Sequence, residues 1–90
     1  MRNIYKYTIR TDRGQVVEVD IPCDAPILDI QLQNGEIVLW ALVDTKNNLE
    51  KRKFILIMTG EPFDAVDMVF IKTVQVDAIV IHIFEDISNK

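Results

Sequence analysis

The sequence predicts an all-β domain, a small antiparallel barrel or sandwich of about six to seven short strands with at most one short helical turn. Period-two alternation of apolar and polar residues runs through most of the chain. Clusters of Gly, Pro, Asn and Asp separate the alternating stretches. The only candidate for a helix, Phe63 to Met68, is too short to stand alone.

The first strand runs from Asn3 to Ile9, with Tyr5, Tyr7 and Ile9 on one face and Lys6 and Thr8 on the other. Asp12-Arg13-Gly14 supplies turn chemistry. Gln15 to Ile21 follows as a surface or edge strand, with Val17, Val19 and Ile21 inward and Glu18 and Asp20 toward water. Two prolines four apart make Pro22 to Pro26 a loop. In the third strand Leu28, Ile30 and Leu32 alternate with Asp29, Gln31 and Gln33.

Asn34-Gly35 is the strongest local signal, because a two-residue type I′ hairpin needs positive φ at both positions. Strands three and four are expected to pair across it. Strand four, Ile37 to Val43, is apolar on both faces, and its β-branched residues favour a strand over a helix. Strand five covers roughly Glu50 to Met58. A sixth, weaker strand covers Val69 to Val76, and a last two-faced one covers Ala78 to Phe84. The Asn89-Lys90 end is expected to fray.

Ninety residues make one domain, 1–90, and 49% apolar with 27% charged residues excludes disorder. A formal charge of -4 disfavours nucleic acid, and no apolar run is long enough for a membrane helix. Nucleic-acid binding would need Arg2, Lys6, Arg10 and the Lys51-Arg52-Lys53 run on one face. That run instead reads as the lysine-guarded start of a solvated edge. One cysteine forms no internal disulfide, and Met1-Arg2-Asn3 leads into no signal peptide, so a reducing intracellular setting is expected.

No catalytic, cofactor or metal residue is assigned, and no cofactor is expected. His82 is the sole histidine and Ser88 the sole serine, in the tail. Cys23 lies between Pro22 and Asp24 with no basic neighbour to activate it. The carboxylate pairs Asp20/Asp24 and Asp64/Asp67 fall within the range of chance, and the three glycines stand too far apart to cradle phosphate. His82 reads as a packed residue hydrogen-bonded to backbone or to a second copy. Protonating it in an apolar seam would be costly.

What needs explaining is an excess of apolar surface. The second faces of strands four, five and seven carry Val38, Trp40, Leu42, Ile55, Ile57, Val80, His82 and Phe84. Side by side, these eight would exceed the patch a monomer normally exposes. Burial within one subunit, a ligand or partner groove, and an interface between copies are the three solutions, and the homo-oligomer is the one favoured. The alternative is a small-ligand-binding or hydrolytic protein with a pocket at a subunit boundary, where His82, Cys23 or Asp64 would converge.

Ile4-Tyr5-Lys6-Tyr7, Ala25-Pro26-Ile27-Leu28, Gln31-Leu32-Gln33-Asn34-Gly35, Leu39-Trp40-Ala41-Leu42-Val43-Asp44, Arg52-Lys53-Phe54 and Thr59-Gly60 together carry a likeness. Through them the chain resembles a family of short uncharacterised proteins of tailed bacteriophages and prophages. The likeness thins beyond Glu61 to Val74-Gln75 and His82-Ile83-Phe84-Glu85. The resemblance implies no catalytic residue. It implies synthesis in the host cytoplasm and a virion component or accessory factor that binds a phage or host protein.

Overall fold

The computed structural model describes residues 1–10 and 15–88. Seven strands form: β1 (Arg2–Ile9), β2 (Val16–Pro22), β3 (Ile27–Gln33), β4 (Glu36–Asp44), β5 (Leu49–Met58), β6 (Met68–Val76) and β7 (Ile79–Asp86). They pair antiparallel in two sheets, β1-β4-β3 and β2-β5-β7-β6. The two sheets pack as a sandwich, and the described residues contain no helix.

Alternation decides which residues meet between the sheets. Ile37, Leu39, Ala41 and Val43 of β4 face Phe54 and Leu56 of β5 and Ile83 of β7 in one core, joined by Ile9, Ile21 and Ile30. The hairpin between β3 and β4 forms as expected, with Gln33 opposite Glu36 and φ of 52° at Asn34 and 80° at Gly35. Both angles are positive, as a type I′ turn requires.

On one flank the two sheets are tied together. A bulge after Phe70 sits in β6, and the Lys72 ammonium reaches Asp29 of β3 at 2.9 Å. On the other flank β1 and β2 line an open groove of about 690 Å³. Tyr7, Val17 and Val19 stand along it.

One expectation is corrected here, that for the Lys51-Arg52-Lys53 run, and two others are sharpened. Phe63 to Met68 makes no helical turn, in keeping with its shortness; Phe63 is drawn onto the Phe84 ring at 5.1 Å and Asp67 takes φ of 55°. The Lys51-Arg52-Lys53 run does not open a solvated edge. β5 lies inside its sheet between β2 and β7, and Arg52 points into the core side, where it is buried. The weaker strand expected at Val69–Val76 forms: β6 pairs along its length with β7 and makes the sheet edge. The Asp12-Arg13-Gly14 turn and the Asn89-Lys90 end lie outside the described residues.

Candidate protein interface

Val38, Trp40 and Leu42 alternate with the core residues of β4, so they lie on the outer face of the three-stranded sheet. Ile55 and Ile57 of β5, with Val80, His82 and Phe84 of β7, lie on the outer face of the four-stranded sheet. The eight residues therefore form no single patch. They divide between opposite surfaces of the sandwich.

Part of this surface is covered by the chain itself. Val38 is only 3% exposed, under a hydrogen bond that Lys6 Nζ makes to Gln33 Oε1 at 2.9 Å across β4. Ile57 is also 3% exposed. The segment between β5 and β6, residues 59–67, acts as a strap over that side. Its Phe63 covers Phe84, and its start is held where Glu61 accepts from the Met58 N–H at 2.8 Å. Its end is held where the Ile87 N–H donates to the Asp67 carbonyl at 2.8 Å.

Cross-strand register builds an apolar row over all four strands of this sheet. Val16 is opposite Ile55, Ile55 opposite Phe84, and Phe84 opposite Phe70. Phe70 meets Phe84 edge-on at 5.5 Å between ring centroids. The strap leaves the row's ends uncovered: Val16 is 49% exposed, Phe70 53% and Phe63 itself 43%. Aromatic groups left half-wet in this way are typical of protein contact surfaces.

His82 lies one pleat from this row. Its Nε2 is 2.7 Å from Thr59 Oγ1 and its Nδ1 is 2.9 Å from Thr73 Oγ1. The partners are thus side-chain hydroxyls from the strap and from β6, neither backbone nor an apolar seam. A threonine hydroxyl against an imidazole nitrogen is the first half of a nucleophile–base pair. The group at the other nitrogen is a neutral hydroxyl, which would give a developing imidazolium none of the support a carboxylate gives. The arrangement fastens the strap and β6 to β7. Sequence reading missed both threonines, since neither spacing nor alternation links them to His82.

The other candidate groups are scattered. The Cys23 N–H donates to the Asn48 carbonyl at the start of β5, whereas His82 lies opposite Ile57. Eight residues of strand separate these places, roughly 26 Å. Partial burial pushes the Cys23 thiol up, and Glu50 and Asp24 add to it, so the thiolate is disfavoured. Asp64 accepts from the Val66 N–H within the strap, and Asp20 faces Lys51 at 3.5 Å. Among the described residues no group of three His, Cys, Asp or Glu could hold a metal ion. No described helix is long and apolar enough to cross a membrane. A second cavity, of about 360 Å³, opens at one end of the core between Ile37, Met58 and Ile81, and neither cavity is lined by Cys23, His82 or Asp64.

Fold and surface together define a small antiparallel β-sandwich domain with a partly strapped apolar outer face. The chain belongs to the family described as Domain of unknown function (DUF7352), whose model matches residues 1–90. No curated protein matches the chain, and no solved structure does.

Proposed function

We propose that the chain is a non-enzymatic, phage-related structural or protein-interaction module that acts as a homo-oligomer, made in the host cytoplasm and used there or in the virion. The observation behind this reading is the apolar row from Val16 to Phe70, which the strap covers at its centre and leaves wet at its ends. A ninety-residue sandwich has little core to spare, and burying this row against protein adds to it. The phage assignment rests on the sequence resemblance alone. Sedimentation equilibrium from about 1 to 100 μM tests the oligomer. The expected result is a mass above the 10.4 kDa of one chain, and a single-chain mass throughout overturns the reading.

A further inference from the structure

We infer that two copies join through the open flank of the sandwich, β1 of each pairing antiparallel with β2 of the other. The inference rests on the homo-oligomer reading but sets the contact between copies at the sheet edge, where the apolar row ends at Val16, and not over the row itself. It begins with backbone groups. The Leu56 N–H donates to the Gln15 carbonyl at 2.8 Å, and Val17 lies opposite Phe54, so the odd-numbered residues of β2 bond to β5. The N–H and C=O groups of Val16, Glu18 and Asp20 consequently point away from the sheet. Pro22, the next outward position, has no N–H to leave unpaired.

The same count applies to β1. The Leu42 N–H donates to the Pro26 carbonyl beside β3, so the even residues of β4 face β3 and its odd ones face β1. Tyr5 opposite Ala41 and Tyr7 opposite Leu39 take those bonds. Ile4, Lys6 and Thr8 are left with outward N–H and C=O groups. Both unpaired edges border the one groove.

Charge then selects the pairing. The outward residues of β1 include Arg2 and Lys6, and those of β2 include Glu18 and Asp20, all four exposed. β1 against a second β1 sets cations beside cations, and β2 against β2 sets acids beside acids, which cross-strand neighbours disfavour. β1 against β2 sets opposite charges together.

Geometry permits it twice at once. The six-residue link from Arg10 to Gln15 spans at most about 20 Å, too short to carry the chain back along an eight-residue strand. β2 therefore runs antiparallel to β1. A two-fold axis parallel to the strands lays each β1 beside the other copy's β2, also antiparallel, and both seams close together. Outer faces stay outward, while Tyr5 and Tyr7 meet Val17 and Val19 of the second copy at the level of the core. A closed dimer results, with two continuous seven-stranded layers and no edge left on that flank.

Two charge-reversed double variants test this: Arg2→Glu with Lys6→Glu, and Glu18→Lys with Asp20→Lys. Each alone is expected to dimerise about ten-fold or more weakly than the wild type, and an equimolar mixture is expected to recover wild-type affinity, because every seam then pairs opposite charges. Hydrogen exchange on the wild type, which needs no variant to fold, is expected to show protection of the Ile4, Lys6, Thr8, Glu18 and Asp20 amides that rises with concentration. An oligomer whose edge amides stay unprotected, or whose mass ignores both variants, overturns the edge pairing and leaves the homo-oligomer standing. A single-chain mass at every concentration overturns both.

Discussion

Arg52 and Glu85 meet through two parallel hydrogen bonds, Nε to Oε2 at 2.6 Å and Nη2 to Oε1 at 2.7 Å, with both side chains less than a tenth exposed. The guanidinium also donates from Nη1 to the Ala25 carbonyl, so one arginine ties β5, β7 and the loop after β2. The Glu85 hydrogen bonds, set against the opposing cost of burial, raise the Arg52 pKa above its already high value. Removing one partner strands a buried charge. Arg52→Ala or Glu85→Ala is expected to cost about 3–5 kcal/mol in urea denaturation, whereas Arg52→Met combined with Glu85→Leu is expected to cost far less or to stabilise.

Asp29 gives a pH-dependent link between the sheets. Its carboxylate takes hydrogen bonds from Lys72, Gln31 and the Ile30 N–H, which hold its pKa down to about 2. An unfolded aspartate titrates near 3.9. A depressed folded pKa gives stability that is complete above the unfolded value and is lost as pH falls through about 2. Asp29→Asn is therefore expected to lower the urea midpoint at pH 7, with the difference closing between roughly pH 4 and pH 2.

The aromatic row predicts an ordering. Phe84 lies between Phe63 and Phe70, while Phe70 stands at the sheet edge, half-exposed. Phe84→Ala is expected to destabilise by about 2 kcal/mol and Phe70→Ala by about 1 kcal/mol or less. Phe63→Ala should loosen the strap without melting the sandwich. Limited proteolysis is expected to cut that variant first within residues 59–67, and cutting elsewhere first would remove the strap's role as a cover.

At Gly35 the cost is conformational. Its φ is 80°, and an added Cβ would meet nothing within 4 Å. Gly35→Ala should thus lose about 1–2 kcal/mol from backbone strain alone, visible as a lower Tm. Asn34→Gly, at the other central position of this turn, should stay close to the wild type.

How much was legible follows from the range of each interaction. Asn34-Gly35 specifies its hairpin within four residues, and the alternation in β4 separates Leu39 from Trp40 without reference to any other strand. Sheet order lies beyond such local signals. Nothing in Lys51-Arg52-Lys53 reveals that β2 and β7 flank β5, so Arg52 read as a surface residue until Glu85, thirty-three positions away, came beside it. Phe63 to Met68 is too short for either period to place, and it was contact with the Phe84 ring that settled where Phe63 lies. Of the interface candidates, alternation correctly set Val38, Trp40 and Leu42 on one face of β4, but which sheet lay behind each face depended on partners that alternation does not encode.

The order of the four-stranded sheet has a consequence for biosynthesis. β7 leaves the ribosome after the other six strands, yet it occupies an interior position and, among the described residues, is the only strand bonded to β6. β1 and β2 likewise wait for β4 and β5. The sandwich thus has no stable half to form early, and Ile37–Val43 stays uncovered while the remaining residues are translated. Folding of this domain is expected to wait until β7 has emerged and then to proceed as one event, with nascent chains held in the meantime by whatever cellular factors shield apolar segments.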